Sequence, residues 1–254
     1  MRFFIKAIIL IAILFYSTYS YSQVNIESKR SDKKQKLSFM SETGVNVDKG
    51  NVKILEIFLD KRIDLNITKN NKFLLLGKYT YGEANSKKFK NDFYSHIRLT
   101  SMLFFKNRIG IEEFFQFQSN EFIDLKMRSL SGFSSRIHII KTENSKFSSF
   151  LGIGAMKEWE ELINDKNNSN YRSTNYLTLI LKTDAKHQII SVTYYQPLFI
   201  NIKDYRITSE NSIIFALNKY ISLKNSLTYQ YDSRPPKNID SNNLTLKTSF
   251  VINY

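Results

Sequence analysis

The stretch from Asn243 to Tyr254, NLTLKTSFVINY, alternates between apolar and polar side chains. In an extended strand successive side chains point to opposite faces, so a period of two gives the strand one apolar face and one polar face. The apolar face carries Leu244, Leu246, Thr248, Phe250, Ile252 and Tyr254, and the polar face carries Asn243, Thr245, Lys247, Ser249 and Asn253. This pattern is typical of a strand with lipid on one side and a hydrated lumen on the other. An ordinary strand of a soluble sandwich is the alternative.

The last strand also carries a candidate assembly signal. Phe250 and Ile252 share one face with Tyr254, the aromatic residue on which the sequence stops. A final alternating strand that ends on an aromatic ring resembles the signal by which outer-membrane barrel proteins are recognised for insertion. The resemblance implies that the barrel-assembly machinery is a partner during insertion, and that the last strand pairs with the first to close the sheet.

Residues 1–22 have the pattern of a secretory signal peptide. Arg2 and Lys6 precede an apolar core from Ala7 to Phe15, and small and polar residues follow it. A transmembrane anchor is the alternative, but the apolar core is shorter than the roughly 20 residues that a spanning helix needs. Residues 23–36 are polar and charged, and they predict a flexible periplasmic arm.

Composition narrows the classes of function further. The chain of 254 residues contains no cysteine, which excludes a disulfide scaffold and any site that depends on a thiolate. The formal charge of +14 is carried by lysines that gather in predicted loops, as in Ser86 to Asn91. No helix or aromatic platform is arranged to contact bases, so we expect no nucleic acid partner. Lipopolysaccharide phosphates or acidic surface polymers suit this charge better, and a merely solvated surface is the simpler alternative.

The rest of the chain divides into twelve segments with a strand pattern. Most are near the roughly 9 to 11 residues that a tilted membrane strand requires. They are 37–47, 52–65, 73–82, 93–105, 109–118, 127–140, 147–159, 176–183, 188–196, 205–217, 221–232 and 243–254. The ninth segment offers Ile190, Val192 and Tyr194 as its apolar face. We therefore predict an all-β fold, a single closed antiparallel transmembrane barrel of about twelve strands over residues 37–254, which we expect to be a monomer.

The predicted connections alternate in length. The short ones are 66–72, 106–108, 141–146, 184–187 and 218–220, and the long ones are 83–91, 119–126, 160–175, 197–204 and 233–242. Outer-membrane barrels have short periplasmic turns and longer extracellular loops, so this alternation predicts that both termini are periplasmic. The prolines Pro197, Pro235 and Pro236 all fall in the long set. Aromatic residues near predicted strand ends, such as Tyr79, Trp159 and Tyr229, suggest interfacial girdles.

A soluble sandwich or a lipocalin-like barrel is the competing architecture, because both also alternate. Alternation alone does not distinguish the inward face from the outward face. The polar face carries charges of both signs at mid-strand, which suits pairing inside a narrow lumen. The predicted lumen-lining residues are Glu56, His96, Arg98, Glu112, Gln116, Arg128, Arg136, His138, Glu158, Arg206 and Glu210. We expect these charges either to plug the lumen by pairing or to set a weak selectivity.

A set of short motifs, occurring in a characteristic order, resembles a known family. The motif residues are Gln196, Pro197, Asp204, Tyr205, Arg206, Asp232, Pro235 and Pro236, and upstream stretches such as EEFFQFQ at 112–118 fit the same order. The chain resembles the domain of unknown function 481 family of outer-membrane barrels, some of whose members are labelled salt-induced outer membrane protein. Phe133 follows Gly132 where the family pattern has another glycine. The resemblance implies a fold and a location in the outer membrane of a Gram-negative envelope, and no activity.

The sequence gives little support to a catalytic function. Among the three histidines, His187 falls in a predicted periplasmic turn, and only His96 and His138 are expected in the lumen. No nucleophile, base and orienting group are visible at a spacing that catalysis requires, so we predict no enzyme and no cofactor or metal. Glu158, Glu160 and Asp204 near the predicted outer rim suit a cation, but Arg172, Arg206 or water is the commoner partner of such carboxylates. The leading hypothesis is a structural or small-solute-permeable envelope barrel, and the alternative is a surface-binding module that engages lipopolysaccharide through basic loops.

Overall fold

A computed structural model describes residues 36–49, 53–105, 107–120, 125–142, 146–162, 167–183, 187–235 and 240–253. The predicted signal peptide, 1–22, and residues 23–35 of the predicted arm lie outside the described residues. In the described ranges, no helix is both long and apolar enough to cross a membrane.

Twelve strands form the described part of the chain. They are β1 Leu37–Lys49, β2 Lys53–Asn66, β3 Asn71–Ala84, β4 Lys87–Phe104, β5 Ile109–Asn120, β6 Leu125–Lys141, β7 Phe147–Leu162, β8 Asn167–Lys182, β9 Gln188–Leu198, β10 Asn201–Ala216, β11 Ile221–Asp232 and β12 Asn242–Asn253. Each strand pairs antiparallel with the next, and β12 pairs with β1 to close the barrel. The prediction of one closed antiparallel barrel of about twelve strands is confirmed.

Side chains alternate across the barrel wall, with the apolar ones pointing outward. On β5, Ile111 and Phe115 are 41% and 47% exposed, whereas Glu112 and Gln116 are 0% exposed. β-branched and aromatic side chains suit this pleated surface. A barrel exposes many of them on its outer wall where that wall faces lipid. A soluble sandwich or a lipocalin-like barrel would turn its apolar face inward, so the structure does not support that competing architecture.

The ninth strand reverses this pattern, which corrects the predicted lipid-facing side of β9. Ile190, Val192 and Tyr194 point into the barrel and are at most 4% exposed. The outward positions between them include Ser191 and Thr193. The ladders with β8 and β10 fix which face of β9 points inward, and that register overrides the hydrophobicity of the strand itself.

The connections do not alternate in length as predicted, because several strands continue into the segments predicted as long loops. Only Asn85 and Ser86 separate β3 from β4, and both have positive φ angles, 50° and 62°. This geometry is that of a two-residue hairpin turn with a left-handed conformation at both positions. Polar residues extend the ladders beyond the apolar band, as at the start of β8 from Asn167. Backbone hydrogen bonds hold an antiparallel pair together, so the pair needs no apolar face where water surrounds it. Loop length therefore does not orient the barrel.

Pro197 lies within β9 rather than in a loop, which corrects a second expectation. It is the residue before Leu198, the end of the strand, and it pairs with Tyr205 where the register of β9 and β10 shifts. Strand ends and bulges are the places where a missing backbone N–H costs the ladder least. Pro236 lies outside the described residues.

The seam between β1 and β12 is short. Met40–Thr43 pair with Phe250–Asn253, whereas the ladder between β1 and β2 runs along β1 from Leu37 to Lys49. In the predicted assembly signal, Phe250 points outward and is 53% exposed, Ile252 is half-buried, and Tyr254 is not among the described residues.

Three aromatic rings lie across glycines on the inner wall. Phe58, Phe114 and Tyr176 each pair directly with a glycine on the adjacent strand, namely Gly44, Gly132 and Gly152. A Cβ atom added at these glycines would lie 2.4, 2.6 and 2.0 Å from the nearest atom of the facing ring. The missing Cβ atoms therefore give the rings the room to lie flat against the wall.

Candidate functional site in the barrel lumen

Arg206 on β10 is the centre of a group of buried charges. Its Nη1 donates to Glu158 Oε2 at 2.6 Å, its Nη2 to Glu160 Oε1 at 3.1 Å and its Nε to Asp232 Oδ2 at 2.9 Å. Glu158 and Glu160 lie on β7, three strands away from β10 around the barrel. The planar guanidinium fork therefore joins three carboxylates from two other strands, β7 and β11, which an ammonium group has too few fixed donors to do.

Two further arginines complete this group, which we call the Arg206 cluster. Arg172 Nη1 on β8 donates to Asp204 Oδ1 at 2.9 Å, and its Nε lies 3.4 Å from Glu158 Oε1. Arg128 Nε on β6 donates to Glu160 Oε1 at 2.6 Å. The members of the Arg206 cluster are Arg128, Glu158, Glu160, Arg172, Asp204, Arg206 and Asp232. The structure shows Arg172 and Arg206 as partners of the acidic residues near this rim, as one of the alternatives from sequence has it.

Glu112 on β5 is the centre of a second group. Tyr176 Oη donates to Glu112 Oε2 at 2.7 Å, and Arg98 Nη1 donates to the same oxygen at 3.1 Å. Thr100 Oγ1 donates to Glu112 Oε1 at 3.1 Å. Arg136 Nη1 donates to Tyr176 Oη at 2.9 Å, which links the guanidinium to the carboxylate through the phenol. Burying a carboxylate away from water is unfavourable, and hydrogen bonds from several donors offset that cost.

A third group lies beside the β1–β12 seam. Lys224 Nζ on β11 lies 3.1 Å from Glu210 Oε1 and 3.6 Å from Glu42 Oε2. Lys247 Nζ lies 3.4 Å from Glu42 Oε1 and 3.2 Å from the centroid of the Phe58 ring. Ser249 Oγ donates to the same Glu42 oxygen at 2.8 Å. These contacts tie the first strand to the last two from the lumenal side.

Sequence reasoning missed Glu42 and Lys224 as lumenal charges, along with the close pair of Arg62 Nε and Asp64 Oδ2 at 2.6 Å. The alternation that identifies Glu112 also places these residues on the inward face of their strands. That signal was sufficient to find them.

The lumenal histidines contact aromatic rings. His96, 1% exposed, stacks with Tyr94 and Phe114 at centroid distances of 6.3 and 5.8 Å. His138 stacks on Phe150 at 4.2 Å. His187 lies between β8 and β9, where its Nδ1 accepts a hydrogen bond from the Ala216 backbone N–H at 3.2 Å.

The remaining predicted lumen residues pair locally. Glu56 Oε1 accepts from Lys90 Nζ at 2.8 Å, and both side chains are half-buried. Gln116 Oε1 accepts from Tyr94 Oη at 3.2 Å. Across the described ranges, no three histidine, aspartate or glutamate side chains are grouped so that they would hold a metal ion.

The motif residues of the predicted family pattern lie together, where β9, β10 and β11 approach the rim opposite the termini. Arg206, Asp204 and Asp232 belong to the Arg206 cluster, and the Gln196 carbonyl lies 3.4 Å from Arg172 Nη1. Tyr205 packs on the outer wall between two other tyrosines, Tyr195 and Tyr231, with tilted rings whose centroids are 5.6 Å apart in each case. Pro235 follows β11 beyond this group. The motif therefore marks one end of the lumen and the wall beside it.

Solved structures with this architecture include three autotransporter barrels. The translocator domain of autotransporter NalP from Neisseria meningitidis superposes with a TM-score of 0.51 at 9% identity, over 90% of this chain and 91% of that one. The transport unit of the autotransporter AIDA-I from Escherichia coli gives a TM-score of 0.42 at 10% identity, over 87% of this chain and 91% of that one. The beta domain of the Bordetella autotransporter Brka gives 0.40 at 11% identity, over 86% and 97%. At these identities only the fold is shared, and of these three structures it is the NalP domain that supports it.

Among proteins with curated functions, none matches this chain in sequence. Residues 59–254 match the family described as "Protein of unknown function, DUF481". This match spans β3 to β12 and most of β2, and it includes every motif residue on which the resemblance rests. The chain is therefore an outer-membrane-type β-barrel that belongs to the DUF481 family.

Proposed function

We propose that this chain is a structural barrel of the bacterial outer membrane, with its lumen closed to ions and to larger solutes. The observation that carries the proposal is the exposure of the lumenal carboxylates: Glu112 and Glu158 point into the barrel and are 0% exposed. A carboxylate that lines a water-filled pore would be hydrated. Arginine and tyrosine donors occupy the places that water would take in an open channel.

Ion pairs and hydrogen bonds reach across the lumen rather than only along the wall. Glu158 on β7 meets Arg206 on β10, and Glu112 on β5 meets Tyr176 on β8, each pair spanning three strand positions of the barrel. Such contacts cross the interior of the barrel from one side of the wall to another. Separating a buried pair leaves an uncompensated charge, so opening the lumen at these points is costly.

The polar ends of the strands support an orientation with both termini in the periplasm. At the rim opposite the termini, β4 begins with exposed Lys87 and Lys88, and β8 begins with exposed Asn167. In outer-membrane barrels the more extensive hydrophilic structure projects to the outside. The outward-facing Phe250 on β12 suits recognition by the barrel-assembly machinery during insertion.

Conductance in planar bilayers tests lumen closure. The refolded protein is expected to show no steady channel, whereas the double variant Glu158→Ala with Arg206→Ala removes two cross-lumen partners and is expected to conduct. The matched control is Lys126→Ala with Glu161→Ala, which removes an ion pair whose lysine is 61% exposed. A steady large conductance in the unmodified protein, equal to that of the lumenal double variant, would contradict the proposal.

A second candidate function is binding of lipopolysaccharide or acidic polymers at the cell surface. It is favoured by Lys87, Lys88 and Lys203, which are exposed near the rim opposite the termini. The double variant Lys87→Gln with Lys88→Gln is expected to weaken retention on immobilised lipopolysaccharide. Lys69→Gln with Lys219→Gln, which removes the same charge from the other rim, serves as the control, and equal weakening by both pairs would count against a specific surface.

A further inference from the structure

An outward-facing carboxylate interrupts the apolar wall of the barrel. Glu113 is exposed on β5, and its neighbours on the same face are Ile111 and Phe115 along the strand and Leu99 and Phe133 across it. The carboxylate makes no hydrogen bond or ion pair with any residue that the structure describes. An ionisable group in the hydrocarbon-facing band is unfavourable on its own, and such groups mark functional sites.

Glu113 borders a groove of about 760 Å³ in this wall. The floor is formed where side chains are small or absent, at Ser131 and Gly132 on β6 and Ala155 on β7. Aromatic and aliphatic side chains form the sides, among them Phe115, Phe133, Tyr171, Ile97 and Leu99. The groove therefore has the dimensions and lining of a site for an alkyl chain.

Lys157 lines the other end of the groove, nearer the rim opposite the termini. Its Nζ lies 4.0 Å from the centroid of the Tyr171 ring and 5.8 Å from that of the Trp159 ring. Tryptophan and tyrosine rings gather at the level of lipid headgroups. The ammonium group thus lies at the headgroup level. Glu113 lies farther from that rim, since its ladder partner Phe133 pairs with Ala155, two residues before Lys157 on β7.

We propose that this groove binds one anionic lipid whose acyl chains carry hydroxyl or amide donors, the chemistry of the outer-leaflet glycolipid. Lys157 pairs with the headgroup phosphate, the apolar sides hold a chain, and Glu113 accepts a hydrogen bond from a donor on that chain. A glycerophospholipid with plain acyl chains satisfies Lys157 and leaves Glu113 without a partner. The site lies outside the lumen, so it depends on the proposed membrane location and not on lumen closure.

The test uses two lipid probes, lipid A and phosphatidylglycerol, with the full chain in detergent micelles. Native mass spectrometry counts retained lipids, and fluorescence of Trp159, the only tryptophan of the chain, reports on the headgroup end of the groove. We expect one lipid A to bind saturably, about tenfold more tightly than phosphatidylglycerol, since one hydrogen bond to a charged group separates them. Equal affinity for the two lipids would overturn the proposal.

Three variants distinguish the site from a general affinity for lipid. Glu113→Leu is expected to abolish the preference for lipid A, Glu113→Gln to retain part of it through the amide oxygen, and Lys157→Met to weaken both lipids. Lys61→Met removes an exposed charge from the outer face of β2, away from the groove, and is the control expected to bind as the unmodified protein does. Folding of each variant is checked by the shift of the unheated band in gel electrophoresis. A dimer that disappears in Glu113→Leu would assign the groove to a second copy and overturn the lipid proposal, as would unchanged lipid A binding by Glu113→Leu.

Discussion

Replacing Arg206 by methionine tests whether the Arg206 cluster holds the barrel together. The substitution keeps most of the volume and apolar length of the side chain while it removes donors to three carboxylates at 2.6, 2.9 and 3.1 Å. The loss is smaller than three separate pairs, because Glu160 keeps Arg128 and Glu158 keeps Arg172. Within the described ranges, the Asp232 side chain keeps a hydrogen bond from the Arg234 backbone N–H at 2.9 Å.

The expected cost is therefore that of breaking one buried pair, about 3–5 kcal/mol of unfolding free energy, toward the lower end of that range. The assay is urea unfolding in detergent micelles, followed by tryptophan fluorescence and by the mobility of unheated samples in gels. Arg206→Lys keeps the charge but not the planar fork, so an intermediate loss is expected. Lys126→Met is the control, because it removes an exposed pair that is worth about 0–1 kcal/mol. An Arg206→Met variant as stable as this control would refute the reasoning.

Three further predictions concern packing and closure. Gly152→Ala drives a Cβ into the tyrosine ring across it, 2.0 Å away, and should lower stability by about 1–3 kcal/mol, whereas Gly77→Ala, with nothing within 4 Å, should cost far less in the same urea assay. Ser41→Cys with Ile252→Cys places two cysteines in direct register across the seam of a chain that has no other, so oxidation should crosslink β1 to β12; a failure to crosslink would place the seam elsewhere. Val192→Ala should lower the free energy of unfolding by on the order of 1–3 kcal/mol, because the side chain is fully buried inside the barrel. No change in stability would indicate that Val192 faces outward, as the sequence predicts.

Strands with regular alternation were predictable from sequence, because one strand face contacts lipid and the other the lumen. On β5, Glu112 and Phe115 face as the period of two requires. On β9, the most apolar residues are inside, since a lumen filled partly by Ile190, Val192 and Tyr194 satisfies the same pattern with the faces exchanged. The sequence of a single strand does not specify which of its faces points inward. The register with the neighbouring strands specifies it.

The partners of the lumenal charges were beyond the reach of sequence. Arg206 and Glu158 are far apart in the chain and meet because the barrel closes β7 and β10 around one interior. Alternation identifies both as inward-facing, but which carboxylate an arginine contacts depends on strand tilt and stagger. The same holds for the groove at Glu113, which exists because small residues on β6 and β7 lie beside it.

Spin-label accessibility at two adjacent positions of β5 tests the central claim most directly. Because the chain has no cysteine, Phe115→Cys and Gln116→Cys each give a single labelling site, one on the 47% exposed outer face and one on the fully buried inner face. In lipid vesicles, the label at 115 should be relaxed by membrane-dissolved oxygen, and the label at 116 should be shielded from both oxygen and a water-soluble nickel complex. Strong relaxation at 116 by the nickel complex would show a water-filled lumen, and shielding of 115 from oxygen would show that this face does not contact lipid.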